Sequence, residues 1–153
     1  MTGMELFWQL ASAFLGSFGF AILFHVRGLK LFVAGLGGMA TWGFYLLMHA
    51  HMESLLVANL FAALFGGLFA EIMARLLRAP ATVFAAPAVI TMVPGGSLYY
   101  TLYNAIAGNA EAASEYGQTT WDVAVGIAIG LAAVTSVFHL LMVLRRKYQP
   151  KPQ

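Results

Sequence analysis

The chain has no cysteine, and only eight basic and six acidic side chains among its 153 residues. The missing cysteines exclude disulfides, thiolate chemistry and cysteine-based metal sites, and leave the redox compartment unreadable. The missing charge excludes an ordinary soluble fold. Soluble domains are about 25% charged, and a chain that is 9% charged and 61% hydrophobic cannot cover its surface against water. The solvent that fits this composition is the bilayer. A net charge of +2 is too small to argue for a nucleic-acid partner. A phosphate-cradling glycine loop, a His-Glu-x-x-His and a Gly-x-Ser-x-Gly are also absent. Nothing therefore points to ATP hydrolysis, an intramembrane protease or any other enzyme, and no cofactor or metal is implied.

What the sequence does hold is five apolar segments, at about 6–26, 31–48, 55–77, 81–107 and 121–144, set against the roughly 30 Å hydrocarbon core they have to span. The expected fold class is an all-α integral membrane protein, one transmembrane domain over 1–153 with five helices. The N-terminus has Glu5 as its only charge before the first apolar run. That is not the positive n-region of a cleaved signal, so the first helix is expected in the mature protein. "HVRGLK", "HAHMES", "LRAP" and a polar loop, "GNAEAASEYGQTT", connect the segments.

With five crossings the charges sort by side. Arg27, Lys30, Arg75, Arg78, Arg145, Arg146, Lys147 and Lys151 fall on one side, and Glu5, Glu53, Glu111, Glu115 and Asp122 on the other. The positive-inside rule then places the N-terminus outside and the C-terminus inside, with 145–153 as a short basic cytoplasmic tail. Only Glu71 breaks the pattern. Making the fourth segment a re-entrant loop would put the acidic loop or the basic tail on the wrong side. So strong a bias also predicts insertion in a single orientation.

Small residues recur four apart: Ser12 and Gly16, Ala34 and Gly38, Ala62 and Gly66, Ala63 and Gly67, Gly126 and Gly130. Such pairs let helix backbones approach closely where no hydrophobic effect drives association, and together they predict a packed bundle.

The fourth segment is interrupted by Pro87 and by Pro94-Gly95-Gly96. Proline lacks the N–H and clashes with the preceding turn, so two half-helices are expected, over about 82–92 and 97–107, with Gly96 or Ser97 near the second N-cap. Backbone groups freed there cannot face lipid. A helix N-terminus attracts anions such as a carboxylate, and secondary transporters place discontinuous helices at substrate sites near the midplane. The candidate binding residues are therefore Thr91, Pro94, Gly95, Gly96, Ser97, Tyr100, Tyr103 and Asn104, the last three sharing a helix face. The competing reading is a proline kink that only shapes packing.

Other polar groups are candidates of a different kind. Glu71 is an intramembrane acid and so a candidate proton carrier, but Arg75 at i+4 is placed for a structural ion pair. His139 on the fifth segment is a candidate titrating group or a satisfied histidine. These three form the candidate coupling or gating set. His49, His51 and Glu53 carry zinc-ligand chemistry but have spacing poor for a helix, and the interfacial reading stands beside the metal one. Asn59 is open between helix bonding and substrate contact. Trp8, Trp42, Trp121, Tyr45 and Tyr116 read as an aromatic belt, with Trp42 and Tyr45 deeper.

"PATVFAAPAVITMVPGGSLYYTLYNAI", residues 80–106, resembles the Pro-x-x-Val-Phe, Ile-x-Met-x-Pro-Gly and Tyr-Thr stretch of the threonine/serine exporter family. "GFAILFHVRGLKLFVAGLGG", residues 19–38, resembles the pattern of that family's first two helices. Length and layout are similar to the small membrane subunit of its split, two-component form. The resemblance implies export of small polar metabolites across the bacterial inner membrane, with threonine and serine the substrates of fused members and succinate associated with the split pair. It also implies a larger membrane subunit with a cytoplasmic N-terminal domain. Such a partner, starting inside, would be inverted relative to this chain, as transporter repeats commonly are. The bilayer, that subunit and a higher oligomer are the implied partners. A membrane scaffold and a passive channel are the alternative functions.

Overall fold

The computed structural model describes residues 3–148. Six helices follow one another: α1 Gly3–Leu23, α2 Leu29–His51, α3 Leu55–Leu76, α4 Thr82–Ile90, α5 Gly95–Ile106 and α6 Ala110–Tyr148. Four of them are long and apolar enough to cross a membrane, and α4 with α5 makes a fifth span bent by 56°. The chain is therefore an all-helical, multi-pass membrane protein. Residues 149–153 of the basic tail lie outside the described residues.

One device ends three of the helices. His25, Arg78 and Gly108 adopt positive φ of 58°, 49° and 78°. The N–H of the next residue in each case reaches five residues back: Val26 to Ala21, Ala79 to Ala74, Asn109 to Asn104. This is the Schellman closure, which satisfies carbonyls the helix leaves open. Starts are capped by side chains in two cases, Val57 N–H to Ser54 Oγ at 3.4 Å and Ala112 N–H to Asn109 Oδ1 at 3.3 Å.

The Asn109 cap changes the expected layout. The stretch 108–120 is not a loop: from Ala110 onward it is the beginning of α6. Polarity there marks the chain's departure from lipid, but alanine, glutamate and glutamine are good helix formers, and a cap at Asn109 with Glu111 in the first turn suits a helix N-terminus. At 39 residues, α6 is about 58 Å long, well beyond the hydrocarbon core.

Small residues set the packing at four of the five expected pairs, each with its own neighbour, whereas a Cβ at Gly16 of the fifth would meet nothing within 4 Å. Gly66 of α3 faces Thr41 of α2, while Gly67, one position on, faces Val134 and Leu131 of α6. Gly126 and Gly130 of α6 lie against the backbone of α3 at Leu56 and Leu60. Ala21, Ala34, Ala70 and Ala74, from three helices, form a socket for Phe84 of α4, which is 0% exposed.

These contacts also fix direction. Gly126 meets Leu56, Gly130 meets Leu60 and Ala63, Val134 meets Gly67, and Arg75 lies over Phe138. Numbers rise together, so α3 and α6 run parallel. The chain leaves α3 at its C-terminal end and rejoins it at its N-terminal end. The intervening segment therefore travels the length of α3 despite its break.

Candidate functional site

The break spans 91–94. Its backbone is closed locally by short-range bonds, Met92 N–H to Val89 O at 3.0 Å, Val93 N–H to Ile90 O at 3.3 Å and Gly95 N–H to Val93 O at 2.8 Å. The second half-helix starts earlier than expected. Its N-cap is Pro94, with no side-chain cap, and Gly95 and Gly96 are its first residues. Ser97 is therefore inside the first turn, and its hydroxyl donates back to Pro94 O at 3.1 Å and bonds Thr120 of α6 at 3.0 Å. The cap falls on proline because its fixed φ suits helix entry and its lost N–H is one the helix would not use.

The two half-helices occupy different surroundings. α4 packs against α1, α2 and α3, whereas α5 packs against α6. Phe84, Pro87 and Ala88 of α4 are buried, but no residue of α5 is buried. The candidate residues are split accordingly. Tyr100 stacks on Tyr116 at 5.2 Å, Tyr103 on Tyr99 at 6.2 Å, and the Asn104 amide donates to Tyr100 O at 2.8 Å. All three are on the exposed hairpin formed by α5 and the start of α6. A side chain at Gly95 or Gly96 would meet open space.

Thr91 alone among them faces the bundle. With Gln9, Ser12 and Ala13 of α1 and Trp42 of α2 it lines a cavity of about 230 Å³. The Trp42 indole N–H donates to Gln9 Oε1 at 3.3 Å. The Ser12 hydroxyl bonds Trp8 O at 2.8 Å and Gln9 O at 3.0 Å. Thr91 Oγ1 is buried and has no hydrogen-bond partner among the described residues. Ser17 Oγ, further along the same α1–α2–α4 seam, is in the same state. Leaving a hydroxyl buried and unpaired costs about 1–3 kcal/mol, so two on one seam mark a polar thread through an apolar bundle.

Gln9 escaped the sequence reading, which gave Ser12 a packing role with Gly16 and Trp42 a place in the aromatic belt. One available signal was Gln9 itself, an amide within the first apolar segment, since polar side chains at membrane depth are functional candidates. Trp42 looked like a deep member of the aromatic belt, whereas it is half-buried against Gln9.

The second candidate set is divided too. Arg75 Nη1 is 2.6 Å from Glu71 Oε2, and its guanidinium carbon is 4.5 Å from the Phe138 ring centre. The pair borders a separate cavity of about 250 Å³ with Ala79, Ala81 and Met142. His139 is next to Phe138 in sequence but exposed on another face of α6, beside Thr135 and Ser136. His49 stacks on Tyr45 at 5.6 Å, His51 bonds Leu47 O, and no group of three or more metal-ligating side chains forms among the described residues. Asn59 is buried with its amide on Leu55 O at 2.8 Å, next to Gly126.

A packed helical bundle with one discontinuous span and a polar cavity at the discontinuity has the organisation of a membrane transport protein. The match to known families agrees. Residues 9–137 match the family model described as Threonine/Serine exporter, ThrE, and the chain belongs to that transporter family. No curated protein and no solved structure matches it.

Proposed function

We propose that the chain is one subunit of a secondary exporter. It moves small polar metabolites, threonine- or serine-like amino acids or a small dicarboxylate such as succinate, out across the inner membrane. The observation that carries this reading is the polar cavity beside the interrupted span, in a chain of an exporter family. In this reading the N-terminus is outside and the C-terminus inside. The path runs past Thr91, Pro94, Gly95, Gly96, Ser97, Tyr100, Tyr103 and Asn104, and Glu71, Arg75 and His139 serve coupling or gating.

A larger subunit with a cytoplasmic N-terminal domain completes the transporter. The bare surface of α5 supports this: Ile106 is 89% exposed, and the helix buries no residue, while α1 to α4 each bury several.

Export from cells carrying both subunits tests the reading. Ser97→Ala and Tyr100→Phe are expected to reduce export at least tenfold while the subunits still co-purify. Loss of co-purification before loss of export would favour a scaffold instead. Active transport by this chain alone in liposomes would remove the partner, and non-saturable flux without counterflow would replace the carrier with a channel.

A further inference from the structure

α6 is the least covered of the long spans. Only 6% of its most apolar stretch is buried, against 39% in α3. Its contacts with α3 run down one side: Gly126, Gly130 and Val134 lie against α3, and Phe138 lies under Arg75. The other side carries Ile129, Ala132, Ser136, His139 and Val143, all exposed. Ser136 is two positions from both Val134 and Phe138, about 200° round the helix.

That free side is not uniformly apolar. Ser136 and His139, with Thr135, Leu140 and Val143, line a groove of about 370 Å³. Thr135 satisfies itself on Leu131 O at 2.8 Å. Ser136 and His139 make no hydrogen bond among the described residues. Both are deep. The basic run that closes the span opens at Arg145, and Ser136 and His139 stand nine and six positions before it, about 14 and 9 Å of helix. Half the hydrocarbon core is about 15 Å, so the pair lies between its midplane and its edge. Lipid tails offer no hydrogen bonds there, and ionisable side chains at such depth face protein or water.

The spacing points to the occupant. Ile129, Ala132, Ser136, His139 and Val143 are separated by three, four, three and four positions, the heptad spacing of a seam between two supercoiled helices. The seam is complementary to itself. A neutral imidazole and a hydroxyl each donate and accept, and helical side chains lean toward the N-terminus, so His139 leans toward the Ser136 layer of a parallel partner. Ala132 lets the backbones close just before that layer. Copies inserted in one orientation, as the charge bias predicts, are related by a two-fold axis along the membrane normal, which sets α6 parallel to α6 and Ser136 level with its counterpart. α5 meets α6 at Tyr116, Gly117 and Thr120, before the seam begins, and leaves it open.

We infer that α6 is the dimerisation helix of this chain: it packs in parallel on α6 of a second copy along Ile129, Ala132, Ser136, His139 and Val143, and Ser136 with His139 forms a hydrogen-bonded layer between the two. The inference does not depend on the exporter reading. It adds an interface to that unit and sets His139 of the coupling set within it.

A chain with no native cysteine suits disulfide trapping. Two differently tagged full-length copies are co-expressed, and single-cysteine variants are oxidised in isolated membranes. Ser136→Cys and Val143→Cys are expected to give a disulfide-linked dimer that contains both tags. Val137→Cys, also exposed and at the same depth but turned toward the groove shared with α3, is expected to give almost none. No dimer at 136 and 143, equal cross-linking at 137, or an adduct that joins this chain to a different protein overturns the inference. Resonance energy transfer between full-length copies with donor and acceptor tags, in phosphatidylcholine vesicles, reads association without cross-linking. His139→Ala is expected to weaken association about tenfold, through the loss of two symmetry-related interhelical contacts, and Ala132→Trp to abolish it. Both side chains are exposed in the single copy, so the fold of each copy, read by circular dichroism, is expected to be retained. Unchanged association in both variants overturns the seam.

Discussion

Gly126 of α6 and Leu56 of α3 meet backbone to backbone: a Cβ on Gly126 would stand 2.5 Å from the Leu56 carbonyl oxygen. Backbone cannot swing aside as a flexible side chain can. Gly126→Ala is therefore expected to force α6 off α3 and to destabilise the chain by about 1–3 kcal/mol, the range for overpacking a tight contact. Gly16, where an added Cβ meets nothing within 4 Å, is the control. Gly16→Ala should not lower stability, because alanine is the better helix former. Thermal unfolding in detergent with the two variants side by side checks the contrast.

Ser17 and Gly38 form a size-matched pair between α1 and α2. A Cβ at Gly38 would overlap the Ser17 side chain and approach the Pro87 carbonyl to 3.1 Å. Gly38→Ala is expected to destabilise by about 1–3 kcal/mol. Ser17→Gly in the same chain should recover part of the loss, a non-additivity that marks direct contact. Ser17→Ala alone should be neutral or stabilising, since it removes a buried hydroxyl that has no partner and so an unmet desolvation cost of about 1–3 kcal/mol. A full double-mutant cycle by denaturant unfolding reads all three.

Arg75 pairs with Glu71 within α3 and joins α3 to α6 by lying over Phe138. Lysine keeps the charge but not the flat guanidinium that stacks on a ring. Arg75→Lys is expected to cost about 0.5–1 kcal/mol, and Phe138→Leu should abolish the difference between arginine and lysine. Glu71→Gln should cost about 1 kcal/mol, because glutamine keeps an oxygen that can accept from the Arg75 guanidinium and loses the charge of the pair. Unfolding midpoints of the four variants test this. Export of the Glu71→Gln protein at several pH values tests coupling separately: unchanged transport and pH dependence would dismiss a proton role.

Asn109 starts α6 by accepting the Ala112 N–H, directly after Gly108 in its left-handed conformation. Asn109→Ala is expected to weaken the first turns by about 1 kcal/mol, and Gly108→Ala to strain the turn by about 1 kcal/mol. Hydrogen exchange should show faster opening over 110–120, with protection near Gly126 and Gly130 unchanged. If 108–120 were a loop, neither substitution would alter exchange there.

The bundle itself was legible because its causes are local. Apolar length predicts spans, small residues at four-residue spacing predict close contacts, and both follow from the absence of water. The break in the fourth segment was equally plain, since a proline removes a hydrogen bond whatever lies around it. The helix at 110–120 was misread because polarity reports where the chain leaves lipid, not whether it stays helical.

What the sequence alone determined, then, is that this is a membrane bundle of the threonine/serine exporter type with one interrupted span. Which side of the interruption holds a cavity was decided only by packing. Gln9 and Ser12 come from α1, Trp42 from α2 and Thr91 from the C-cap of α4; they share no motif, and Thr91 is separated from Ser97 by only six positions. Yet the 56° bend sends α4 into the bundle and α5 onto α6. Neighbours along the chain end in different environments. The physical reason is that close approach depends on which small residues face each other across helices, a property of pairs of faces that no single segment contains.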